Sequence, residues 1–97
     1  MNKQAILARL AENLEEIRQR FSVRAISIFG SVARDDATEN SDVDLLVAFE
    51  NKATFDVFMD LRFYLEDLLG TGIDLVTDKA LRPEIRQTIE QEIIHVA

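Results

Sequence analysis

Phe29-Gly30-Ser31 closes one apolar run, Val23 to Phe29, and Asp42-Val43-Asp44 opens the next, which continues to Phe49. Both runs are short and rich in apolar and β-branched residues, as strands are. A glycine-serine turn therefore stands at the end of one strand and two acids at the start of another. If turn and acids are to meet, those strands must lie side by side and antiparallel. A third acid, Asp74 in Gly72-Ile73-Asp74-Leu75-Val76, stands near the start of its own run. To join the same cluster its strand must run parallel to the second, through a right-handed crossover. The spacing thus predicts a mixed sheet; an all-parallel one would scatter these residues.

The rest of the pattern supplies the helices. Ile6, Leu7, Leu10, Leu14, Ile17 and Phe21 recur with period 3.6 and predict one helix from Lys3 to Phe21. Val32-Ala33-Arg34 forms the first turn of a short helix, and the polar stretch 35–41 is a loop. The second strand, 42–49, is so continuously apolar that burial on both faces is expected. Thr54 suits the N-cap of a helix running to about Leu69 and ended by Gly70. Ile73 to Thr77 is the third strand, and Pro83 opens a last helix reaching about Ile93. The result is one α/β domain over residues 1–97, a small mixed sheet flanked by helices. A chain of this length has room for one modest core and no second domain.

Charge narrows the class further. Residues 1–34 carry six Lys/Arg against three acids, a net of +3, whereas residues 35–97 carry five against fifteen, a net of −10. Between Asp35 and Glu50 there are six acids and no base. A protein that grips nucleic acid needs a basic face to neutralise phosphates, so direct nucleic-acid binding is not expected. An acidic cluster suits a divalent cation or a basic partner. No cysteine is present, which excludes disulfides and thiolate metal sites. No apolar run approaches the roughly 20 residues that span a bilayer, and no signal-peptide core opens the chain, so a cytoplasmic protein is expected.

The clustered residues have a common chemistry. Asp42 and Asp44, two apart on a strand, point to one face. Mg²⁺ takes oxygen ligands, commonly one or two carboxylates with substrate phosphates and water. Gly30 lets backbone pass close to a phosphate, and the N–H groups of Ser31 and Val32 open toward an anion. The Ser31 hydroxyl adds a hydrogen bond, and Arg34 is within reach of a triphosphate. Asp74, flanked by Ile73, Leu75 and Val76, is costly in a strand unless it meets a cation or donors. An EF-hand is disfavoured, because the acidic loop lacks both the turn glycine and the closing bidentate glutamate. Carboxylates beside a phosphate-binding turn are the minimum equipment for moving a nucleotidyl group with Mg²⁺. Of the other candidates, His95 reads as structural or surface and Tyr64 as helix packing. The helix from Thr54 is apolar around most of its girth, and its surplus, Phe55, Met59 and Phe63, is expected to form a protein interface.

Gly30-Ser31, the Asp42 and Asp44 pair after ten intervening residues, and the strand Leu45-Leu46-Val47 resemble the minimal nucleotidyltransferase (MNT) family. These are small relatives of the DNA polymerase beta superfamily, and many are the antitoxin half of HEPN/MNT toxin–antitoxin pairs. The likeness extends through the Asp74 segment and the Leu81-Arg82-Pro83 helix. It implies Asp42, Asp44 and Asp74 as catalytic metal ligands, two Mg²⁺ ions, and Gly30, Ser31 and Arg34 as nucleotide-binding residues. It further implies transfer of AMP from ATP to a hydroxyl, a tyrosine, of a HEPN-type toxin ribonuclease, in a homo- or hetero-oligomer. The family often carries glycine just after the arginine; here Asp35 occupies that place. Two alternatives stay open: an inactive antitoxin that works by binding alone, and a small-molecule nucleotidyltransferase. The latter's relatives carry an acceptor domain that this chain lacks.

Overall fold

The computed structural model describes residues 2–96. Along the chain run α1 (Lys3–Glu12), α2 (Leu14–Phe21), β1 (Val23–Phe29), α3 (Gly30–Ala33), β2 (Val43–Phe49), α4 (Phe55–Leu69), β3 (Ile73–Thr77), a 3₁₀ turn (Asp78–Ala80), α5 (Pro83–Glu90) and β4 (Ile94–His95). The strands form one sheet in the order β3-β2-β1-β4. β1 and β2 are antiparallel, with Phe29 opposite Asp44. β2 and β3 are parallel, with Asp44 opposite Asp74. The sheet is therefore mixed, with the strand directions that the placement of the turn and the acids requires.

One face of this sheet carries the core. Ile26 and Ile28 of β1, Val43, Leu45 and Val47 of β2, and Ile73 and Leu75 of β3 are buried in one cluster with Ile6, Leu10, Ile17, Leu61, Leu65 and Leu69. The helical layer is thus α1, α2 and α4, and each fully buried aliphatic side chain contributes about 2 kcal/mol. Tyr64 ties α4 to α2: its hydroxyl donates to Glu16 Oε2 at 2.6 Å and its ring lies 5.3 Å from that of Phe21. It is packing, as its sequence position suggests. α4 is bounded as expected. Thr54 Oγ1 accepts from the Val57 N–H at 3.2 Å, and Gly70, at φ +67°, ends the helix with its N–H on the Glu66 carbonyl at 2.8 Å.

Three expectations need correction. The first helix is two, broken at Asn13, whose backbone leaves helical geometry at φ −110° and ψ 10°. Its side-chain amide donates to the Arg9 carbonyl at 2.8 Å, a local bond that competes with the helical ladder. The apolar period continues across the break, so periodicity alone cannot register it. The last helix stops at Glu90, and Ile94–His95 returns as β4, antiparallel to β1 with Ser27 opposite His95. Two residues are too few to show alternation; the pairing arises because β1 offers a free edge. β2, finally, is not covered on both faces. Its burial alternates from Val43 to Val47, with Val43, Leu45 and Val47 buried while Asp44 and Leu46 are half-buried; on that second face only Ala48, near the far end, is buried. The half-buried face bears the acids. Among the described residues no helix is long and apolar enough to cross a membrane.

Candidate active site

The turn after β1 is shaped by Gly30. Its φ of +72° lies in the left-handed region, and a Cβ there would run into the Asp44 carboxylate. Glycine is required twice over, once by the backbone and once by the close approach of Asp44. From Gly30 the chain makes a single helical turn, closed by the Arg34 N–H on the Gly30 carbonyl at 3.1 Å. Ser31 is half-buried within that turn. Asp35 follows at φ +63°, the conformation glycine adopts freely and aspartate tolerates better than most residues. Its side chain accepts from Lys3 Nζ at 2.9 Å. The aspartate thus keeps the left-handed turn that a glycine would make.

The acids gather on the half-buried face. Antiparallel pairing of Phe29 with Asp44 sets Asp44 against the Gly30 turn, and parallel pairing sets Asp74 across from it. Asp42 precedes β2 and lies against Gly72, whose carbonyl receives the Val43 N–H at 3.0 Å. Asp42 and Asp74 also line a small cleft with Phe58 and Arg62 at the edge of α4. The structure therefore brings all three carboxylates to one end of the β2–β3 pair. Asp74 is exposed on an edge strand, so the burial cost argued from its apolar neighbours does not arise. What marks Asp74 is its position opposite Asp44.

Electrostatics single out Asp44. Burial pushes its carboxyl up to about 6, with further upward contributions from the charge of Asp74, a hydrogen bond with Asp74 and the charge of Asp42, against an opposing pull from Arg34. Carboxylates crowded so that one resists ionisation form a set that a cation would relieve. Their hard oxygens suit Mg²⁺ rather than a soft metal. Among the described residues no three acidic or histidine side chains close into a metal cage. Mg²⁺ does not demand one, since it commonly completes its shell with substrate phosphates and water.

Arg34 lies on the same turn but is engaged. Its Nη1 donates to Glu92 Oε2 at 3.0 Å and its Nε to Asp36 Oδ2 at 3.2 Å. Both acids raise its pKa above the ordinary guanidinium value. Glu92 also accepts from the Gly30 N–H, through Oε1 at 3.0 Å. Nothing in the sequence points to Glu92, which arrives from 62 residues away on the segment between α5 and β4. Its only signal is the β4 pairing, itself too short to read. His95 is structural, its Nδ1 bonded to the buried Ser27 hydroxyl at 2.9 Å.

Comparison with known proteins places this geometry in a family. Residues 10–96 match the nucleotidyltransferase domain family. The protein adenylyltransferase MntA of Thermococcus cleftensis is 44% identical over 87 residues, 90% of this chain and 88% of that protein. A solved structure provisionally identified as a minimal nucleotidyltransferase superposes with a TM-score of 0.82 at 38% identity, over 97% of this chain and 95% of its own. A chain from the complex of tri-AMPylated Shewanella oneidensis HEPN toxin with MNT antitoxin shares the fold, with a TM-score of 0.67 at 15% identity over 98% of this chain and 71% of its own. With the mixed sheet, these matches make the chain a nucleotidyltransferase, a member of the minimal nucleotidyltransferase family.

Proposed function

We propose that this chain is a Mg²⁺-dependent protein adenylyltransferase that moves AMP from ATP onto a tyrosine hydroxyl of a HEPN-type ribonuclease toxin, and so neutralises it. The 97 residues act as one nucleotidyltransferase domain in the cytoplasm, assembled with that toxin. The observation that carries this reading is the contact of Asp44 with the Gly30 turn on one side and its pairing with Asp74 on the other. A phosphate-accepting turn and a carboxylate pair thus share one edge of the sheet. The adenylyltransferase activity named for the Thermococcus relative, and the AMPylated toxin in the Shewanella complex, support the reaction and the acceptor.

The roles follow from position. Gly30 and Ser31 offer N–H and hydroxyl donors to the β- and γ-phosphates, and Arg34 adds charge there. Asp42, Asp44 and Asp74 would hold two Mg²⁺ ions, which when bound neutralise the triphosphate and the leaving pyrophosphate. Asp74 is exposed, which leaves it accessible to an entering acceptor. The tyrosine oxygen attacks the α-phosphorus, the bond from that phosphorus to the β-phosphate oxygen breaks, and pyrophosphate leaves. Asp74 orients the hydroxyl, and its proton passes to that carboxylate or to solvent.

An acceptor on another protein suits this site, since Asp74 is exposed and shares only a small cleft with Asp42. α4 supplies a surface for it: Phe55 is 75% and Phe63 58% exposed, while Met59 is half-buried and a poorer probe than expected. The test is the intact mass of the co-purified partner before and after incubation with ATP and Mg²⁺. AMP-sized increments are expected with the wild-type chain and none with Asp44→Asn. A tight complex that gains no mass in either case would refute transfer and leave neutralisation by binding alone.

A further inference from the structure

The Gly30 turn and Arg34 are the groups assigned above to the triphosphate, yet both are already bonded to one carboxylate. Glu92 spans them, with one oxygen on the Gly30 N–H and the other on the Arg34 guanidinium, each at 3.0 Å. A backbone N–H at a left-handed glycine together with an arginine is a donor pair suited to two oxygens of one phosphate group. We infer that Glu92 is an internal stand-in for a nucleotide phosphate, which occupies the turn of the resting protein and is displaced when a triphosphate binds.

The surroundings make coexistence unfavourable. Asp44 already presses on Gly30 from the sheet side, and Asp36 holds the remaining edge of Arg34. A phosphate brought to the turn beside a retained Glu92 would share one guanidinium with two acids and face a third. Departure of the Glu92 side chain is easier. The Arg34 side chain is 48% and the Glu92 side chain 19% exposed, so the ion pair is partly in water and of modest strength. The Glu92 backbone is held separately, by its N–H on the Ile89 carbonyl at 2.9 Å. The following strand is held by the β4–β1 pairing and the Val96 N–H on the Ile26 carbonyl at 2.9 Å. The carboxylate can therefore rotate out without unpicking β4.

The inference rests on the reading of Gly30 to Arg34 as the triphosphate site, and it makes a selective demand. Competition is confined to the phosphates that reach the turn, so removing Glu92 tightens triphosphate binding and leaves the monophosphate unchanged. The opposite role, Glu92 as a brace that shapes the turn for nucleotide, would weaken binding when Glu92 is removed.

The experiment is calorimetric titration of the full chain with AMP-PNP and with AMP, each in excess Mg²⁺. It compares wild type, Glu92→Ala and Glu92→Gln, with a thermal melt on each to show folding. If the occupied turn makes up about 70–90% of the resting population, Glu92→Ala should bind AMP-PNP about three- to ten-fold more tightly. Glu92→Gln, which keeps the Gly30 acceptor but loses the charge on Arg34, should fall between. AMP affinity should change by less than about twofold. Equal or weaker AMP-PNP binding by the folded variants would overturn the inference and leave the site reading intact. Failure of wild type and variants alike to bind AMP-PNP would overturn the site reading itself, and this inference with it.

Discussion

On β2, Val43, Leu45 and Val47 are buried against α1, α2 and α4, while Asp44, between the first two, is half-buried among like charges. The strand alternation that gives the chain a core on one face places its carboxylates on the other. On the helical face the demand is mainly close packing of apolar volume. On the acidic face each residue answers a particular neighbour: Gly30 because Asp44 approaches it, Asp44 because Asp74 pairs with it, Arg34 because Glu92 faces it. On the function proposed above, stability and catalysis occupy opposite sides of the same strands and should respond separately to mutation.

The strongest test of that separation is on the helical face. Leu65 is fully buried at the centre of α4, and Leu65→Ala should cost about 3 kcal/mol, with residual-cavity cost included. For a domain of this size that lowers Tm by more than about 10 °C. AMP transfer per folded molecule, assayed well below that Tm, should be unchanged. A loss of transfer matching the loss of stability would show that the two faces are coupled after all.

A smaller effect is expected where the backbone meets the acids. Gly30→Ala adds a side chain in the left-handed region, at about 1–2 kcal/mol, and forces it against the Asp44 carboxylate. The second part should disappear when Asp44 is also reduced to glycine. A double-mutant cycle by urea denaturation should thus give a coupling of about 1 kcal/mol between positions 30 and 44. Additive costs would mean that the two do not press on each other, and would remove the physical reason for glycine beyond its φ.

The same division decides what could be read in advance. Strand directions, the cap at Thr54, the stop at Gly70 and the grouping of Asp42, Asp44 and Asp74 all follow from local rules plus the demand that they meet. The roles given to those acids, and to Gly30, Ser31 and Arg34, are untouched by that success, because shared position is not activity. What escaped was set by distant partners. Asn13 breaks a helix whose apolar period runs straight through it, and β4 exists only because the β1 edge is free. Glu92 reaches the turn through that same pairing. Asp74 stands opposite Asp44, but its apolar neighbours do not bury it: Ile73 and Leu75 are buried while its own side chain is exposed, as alternation on an edge strand allows.

The smallest effect concerns pH, and it separates the faces without a change of shape. The Asp44 carboxyl titrates near 6 in the folded chain, against 3.8 as its ordinary value, so the fold binds that proton more tightly than the unfolded chain does. The resulting stabilisation is complete below about pH 4 and is lost as pH rises through 6. A shift of this size corresponds to about 3 kcal/mol in isolation, but Asp44 is only half-buried, and solvent screening reduces the expected effect to about 1 kcal/mol. Metal-free wild type should therefore lose stability relative to Asp44→Asn between pH 4 and 7, as followed by urea denaturation of both at each pH. Taking the difference cancels the other carboxylates, which titrate in both proteins. Excess Mg²⁺ at pH 7 should narrow the gap, since a cation among these oxygens favours the ionised form. Parallel curves for the two proteins would mean that Asp44 carries no penalty, and that the acidic face is as relaxed as the helical one.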